Sequence, residues 1–156
     1  MKYRIIAAFV VLCFAQGVKA QQAAGQIEAG VRLGLPLGAT GRYFLTDRSA
    51  VEGIFGLYNT RASLTALYQY HWDLSALTID GFGWYAGGGA HIGGREISGN
   101  KTFYAGVDGL VGLNYSFSNI PLNLSLDWKP ALHFNTPSEL ADFGVSARYI
   151  FGRNKK

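Results

Sequence analysis

The stretch PLNLSLDWKP, Pro121 to Pro130, alternates apolar and polar side chains without an error. In an extended chain successive side chains point to opposite faces. Leu122, Leu124, Leu126 and Trp128 therefore share one face, and Asn123, Ser125, Asp127 and Lys129 the other. That period makes the segment a strand. It leaves open which face looks inward: a soluble barrel or sandwich buries its leucines, whereas a membrane barrel shows them to lipid and buries its charges.

The same period recurs along the chain, and no helical period appears after residue 25. It predicts eight strands, near 26–35, 38–45, 50–58, 62–72, 82–92, 103–117, 120–129 and 141–151. Turn residues punctuate them at Thr46-Asp47-Arg48-Ser49, Asn59-Thr60-Arg61 and Ser118-Asn119, and longer connections are expected over 93–102 and 130–140. Strands one, four, six and eight sort cleanly into an apolar and a polar face. Strands two, three and five are mixed, with Phe44, Ile54 and Tyr85 on the polar side.

Pooled over the strands, the polar face carries both signs in equal number. Glu28, Glu52, Asp108 and Asp127 stand against Arg32, Arg42, Lys129 and Arg148. Interspersed with glycine and small polar residues, such a face suits the narrow interior of an eight-stranded barrel, where the charges must pair. The aromatics give the second indication. With the N-terminus in the periplasm, Tyr43, Tyr70, Trp72, Trp84, Tyr115, Phe117, Tyr149 and Phe151 gather at the periplasmic interface, with Phe82 beside them. Tyr58, Tyr104 and Trp128 are expected at the opposite rim. Amphipathic rings prefer the two interfaces of a bilayer, and a soluble barrel has no reason to place them there. The leucines of PLNLSLDWKP accordingly point out, into lipid.

Residues 1–20 read as a cleavable secretory signal. Lys2 and Arg4 precede an apolar run from Ile5 to Phe14, and Val18-Lys19-Ala20 supplies a cleavage site. Cys13 is the only cysteine and follows Leu12, where lipidation would need a small residue, so the mature chain offers no disulfide and no thiolate metal site. The signal takes three of the 14 basic residues and none of the 10 acidic ones, leaving 11 against 10. Arg153, Lys155 and Lys156 close the chain, so the basic balance is a property of the ends and supports no nucleic-acid footprint. Charged residues are 15% of the chain, against roughly 25% in ordinary soluble domains. Residues 21–156 form one domain.

The segments GRYFLTDRSAVEGIFG (Gly41 to Gly56), WYAGGGAHIGG (Trp84 to Gly94), GVDGLVGLNYSF (Gly106 to Phe117) and IPLNLSLDWKP (Ile120 to Pro130) carry a resemblance. They are similar to the small eight-stranded outer-membrane β-barrel proteins of Gram-negative bacteria, and more narrowly to small barrels abundant in Bacteroidota. The C-terminal Gly144 and Tyr149-Ile150-Phe151 resemble the signal read by the barrel-assembly machinery. Ala147 replaces an aromatic there, and GRNKK follows. The resemblance implies an outer-membrane location in contact with lipid and lipopolysaccharide. Roles in that group range over anchoring, adhesion, small pores and lipid modification.

His71 and His91 fall on lumen positions and join the polar interior, and no histidine pair has metal-ligand spacing. His133, Ser138 and Glu139 are the residue types of a serine hydrolase, and outer-membrane lipid A deacylases are eight-stranded barrels. Their His-x-Ser-Asn pattern is absent, since Phe134 and Asn135 follow His133. The glycines of GWYAGGGAHIGG precede no helix, as a phosphate loop requires, and serve curvature instead.

The expectation is an all-β, eight-stranded, antiparallel, transmembrane up-and-down barrel: monomeric, exported, non-enzymatic and without cofactor, metal or nucleic-acid partner. Its role is structural or surface-interacting. The competing readings are a lipid A hydrolase using His133 and Ser138, a narrow gated pore, and a soluble periplasmic barrel that binds a ligand as lipocalins do.

Overall fold

The structure is a computed structural model, described here for residues 22–35, 37–59 and 61–151. The expected signal, residues 1–20, lies outside the described residues. Nine strands follow one another: β1 (Ile27–Leu33), β2 (Leu37–Phe44), β3 (Ser49–Tyr58), β4 (Arg61–Asp73), β5 (Phe82–Ile97), β6 (Asn100–Ser116), β7 (Leu122–Trp128), β8 (Ala131–His133) and β9 (Phe143–Phe151). The described residues contain no helix.

Every pairing is antiparallel. Chain neighbours pair in turn, and β9 returns to β1, so the sheet closes on itself with no free edge. β7 and β8 are two parts of one stave. Both pair with β6, and the register runs through the break unchanged, with Val111 facing Trp128 and Asp108 facing Ala131. Pro130 interrupts the ladder because it has no N–H to donate, although its carbonyl still accepts from Gly109 N–H at 2.9 Å. The molecule is therefore a closed, eight-stranded, antiparallel up-and-down barrel. The rim where β1 begins and β9 ends is called the lower rim below, and the opposite one the upper.

Two connections differ from the sequence expectation. Residues 93–102 are not a loop: β5 and β6 continue to Ile97 and Asn100 and meet at a two-residue turn. Ser98 and Gly99 both have positive φ, 51° and 80°, the mirror-image turn whose twist matches that of paired strands. The 130–140 connection likewise shortens at its start, because Ala131, Leu132 and His133 extend the stave.

PLNLSLDWKP now has its answer. Asn123, Ser125, Asp127 and Lys129 are buried inside the barrel, while Leu124, Leu126 and Trp128 lie outside, Leu126 at 53% exposure and Asp127 at 3%. Phe44, Ile54 and Tyr85, the apolar residues on polar faces, also point inward and are fully buried. Ile54, Leu67, Tyr85 and Leu110 form a small apolar cluster inside.

Candidate functional site: the ion-paired lumen and its upper mouth

Strand alternation aims one charged side chain after another at the axis, and closure of the sheet brings them within reach. All eight charges of the polar face are buried, and they sort into two networks. In the first, Arg42 lies between Glu28 at 3.3 Å and Glu52 at 3.2 Å. Glu52 also receives Arg148, Thr40 and Gln69. Arg148 donates further to Ser125 at 2.7 Å and Thr40 at 3.2 Å. Two guanidiniums meet two carboxylates, so this network is neutral.

The second network runs toward the upper rim. Arg32 pairs with Asp127 and, at 3.2 Å, with Asp142. Lys129 joins Asp142 at 2.8 Å and Asp108 at 3.3 Å, and Asp108 accepts from the His91 ring at 2.8 Å. Asp142 is the member that reading the sequence missed. It has the parity of Gly144, Ser146 and Arg148 and falls inside the strand expected over 141–151, one residue before β9 itself begins at Phe143.

Tyr85 ties the networks together. Its hydroxyl donates to Asp127 at 3.1 Å, the Arg42 guanidinium lies 4.9 Å from its ring centre, and the His71 ring stacks on it at 5.0 Å. His71 in turn reaches Gln69 at 3.2 Å and packs against Phe44.

Glycine makes these reaches possible. Tyr85, Gly112 and Asp127 lie in one cross-strand row, and the Tyr85 ring passes over Gly112 to its partner two staves away. A Cβ on Gly112 would stand 2.5 Å from Tyr85 Cζ. Arg32, whose own partner is Ser146, reaches diagonally over Gly144 to Asp127, and a Cβ on Gly144 would overlap its guanidinium. A row with a side chain at every position could not accommodate these bridges.

Water is excluded from the middle of the barrel. Glu28, Arg32, Arg42, Tyr85 and Arg148 are all at most 1% exposed. Charges so placed are held by their partners, and removal of one partner leaves the other uncompensated. Above this layer a cavity of about 250 Å³ opens at the upper rim, lined among others by His91, Arg95, Tyr104, Lys129 and His133.

The hydrolase residues lie at this mouth. The Ser138 hydroxyl accepts from the His133 backbone N–H at 3.3 Å, while the His133 ring nitrogen Nδ1 donates to the Pro137 carbonyl at 2.6 Å. Glu139 pairs with Arg61 at 3.0 Å. The ring thus bonds neither Ser138 nor Glu139 among the described residues, and the relay that a serine nucleophile needs is not formed. His133 itself ends a strand and turns inward, rather than sitting in a loop. No cluster of three or more metal-ligating His, Cys, Asp or Glu side chains occurs among the described residues.

Aromatic side chains ring the lower rim. Trp72 stacks on Trp84 at 4.2 Å, and Tyr70–Trp72, Tyr115–Phe117 and Tyr149–Phe151 meet edge to face, with Tyr43 exposed nearby. At the upper end Trp128 faces outward and donates to the Leu140 carbonyl at 2.7 Å. Tyr104, expected in the same belt, points inward to the cavity instead. It has the parity of Gly106 and Asp108 on β6. Phe143, the cross-strand partner of Trp128, and Phe103, farther up β6, lie on the outer surface. Phe103 and Tyr115 lie near opposite ends of β6, roughly 40 Å apart along the strand and about 30 Å along the axis of a barrel with ordinary tilt.

No protein-family model matches the chain, and no curated protein matches it significantly. Among solved structures it is similar to the N-terminal β-barrel domain of OprF from Pseudomonas aeruginosa. The TM-score is 0.65 and the identity 17%, over 81% of this chain and 96% of that one. Likeness at that identity is a likeness of fold, that of a β-barrel.

Proposed function

We propose that this chain is an integral outer-membrane barrel, exported by a signal at residues 1–20 and folded into the bilayer as a monomer by the barrel-assembly machinery. Its partners are outer-membrane lipid and lipopolysaccharide. Its work is structural or surface-interacting, not catalytic. The observation that carries this reading is the inverted polarity. Leu33, Leu57, Leu64 and Leu126 are more than half exposed outside, and charges at most 7% exposed fill the interior. In water such an outer surface would be one continuous apolar patch, far larger than a soluble monomer tolerates. In a bilayer it is the surface that lipid requires, and a closed barrel leaves no backbone group unpaired against hydrocarbon. The axial span of about 30 Å from Phe103 to Tyr115 fits a hydrocarbon core of about that thickness.

The test is a gel of the detergent-solubilised outer-membrane fraction, with unheated and boiled samples side by side. The barrel should partition with that membrane and change mobility on boiling. Recovery from the soluble periplasmic fraction without a shift would instead require a ligand-binding soluble barrel.

A further inference from the structure

The upper cavity has more polar equipment than a closed plug needs. Arg61 and Arg95 are direct cross-strand partners at its mouth, both on the inward face. Like charges set opposite each other destabilise a sheet unless an anion lies between them. Glu139 compensates Arg61, but Arg95 meets no carboxylate among the described residues. At the inner end, His91 is only 5% exposed, and its Nε2 has no hydrogen-bond partner.

Asp108 and the Pro137 carbonyl fix how the two histidines present themselves. Each accepts the Nδ1 proton of one ring, which leaves the Nε2 atoms of His91 and His133 for hydrogen bonds to a ligand. Gly106 lies between the two in register, and its missing side chain lets the rings approach to 4.7 Å. A Cβ there would stand 2.7 Å from His91 Cε1. Between the arginines and the histidines, the half-buried Tyr104 ring lies over Gly93.

The geometry points to a binding site for a phosphorylated sugar in this cavity. The guanidiniums of Arg95 and Arg61 take the phosphate, the Tyr104 ring faces the sugar, and the imidazole Nε2 atoms hydrogen-bond to its hydroxyls. The two arginines suit a dianionic phosphate, which a forked guanidinium binds through paired hydrogen bonds. Length excludes bare phosphate as the full ligand. Arg95 and His91 are four residues apart on one strand, roughly 13 Å between Cα atoms, so a molecule touching both needs an extended hydroxylated body. The sugar phosphate could be free in the medium or part of a lipopolysaccharide core, and the chemistry is the same.

Isothermal titration calorimetry on the full chain, refolded in an amine-oxide detergent that brings neither sugar nor phosphate, tests this directly. Saturable binding of glucose 6-phosphate is expected, with glucose and inorganic phosphate at least tenfold weaker. Arg95→Gln should weaken it at least tenfold while keeping the heat-dependent gel shift, because Arg95 stands outside the closed networks. Saturation by deacylated lipopolysaccharide core alone, with the same loss in Arg95→Gln, would support the site with the membrane as its source. The proposal is overturned by no saturation with either probe, by binding unchanged in Arg95→Gln, or by inorganic phosphate binding as tightly as the sugar phosphate.

Discussion

Glu52 accepts from Arg42 and Arg148 at once, and it is the only carboxylate that Arg148 meets among the described residues. Glu52→Gln keeps the volume but leaves a buried guanidinium without its countercharge. Breaking a buried pair from one side costs about 3–5 kcal/mol, and urea unfolding from lipid vesicles should show that loss. Arg61→Gln removes a pair whose side chains are 35% and 44% exposed, and should cost under about 1 kcal/mol. Equal small losses would mean that water reaches the lumen. At this scale the sequence is informative through parity: alternation alone assigns eight charges to one face. Parity does not pair them. Arg32 reaches Asp127 only because β1 and β7 flank β9 and because Gly144 lies between, and both facts depend on closure. Asp142 shares the parity and falls in the strand expected over 141–151, but its two partners, Arg32 and Lys129, come from other staves that only closure brings to it.

The staves were legible wherever one face met apolar surroundings and the other the lumen, since only then does the side-chain period have two values to alternate between. Gly93-Gly94-Arg95-Glu96 lacks that contrast, because the upper ends of β5 and β6 carry glycine and charge on both faces. The segment therefore reads as a loop while pairing residue for residue with its neighbour. Its turn has a sharp requirement. Gly99 sits at a φ of 80°, with no atom within 4 Å of where a Cβ would be, so the cost of a side chain there is backbone conformation and not crowding. Gly99→Val should destabilise by about 1–2 kcal/mol, the penalty of the left-handed region. Gly53→Ala is the control: its added Cβ also meets nothing within 4 Å, φ is ordinary, and it should be neutral or stabilise by up to about 1 kcal/mol. Unfolding in vesicles measures both. If Gly99→Val were as harmless as the control, the tight turn would not be part of the folded barrel.

Over the whole molecule, polarity runs opposite to that of a soluble domain. No single strand could reveal this. PLNLSLDWKP is compatible with either orientation, and only the balance of charges and the clustering of aromatics across all staves chose between them. The same inversion gives the decisive stability prediction, because depth in a bilayer has no counterpart in water. Val111 lies on the outer surface of β6 near the middle of the span from Phe103 to Tyr115, and Phe103 lies outside at its upper end, with exposures of 48% and 62%. On a water-facing surface, an arginine at either position would act alike and cost little. Against lipid, Val111→Arg should cost about 2–4 kcal/mol and Phe103→Arg only about 0–1 kcal/mol, since the penalty falls from midplane to interface. Unfolding of the two variants from lipid vesicles reads the difference directly. A gap of that size requires hydrocarbon around the middle of the barrel, and two equal small costs would exclude it.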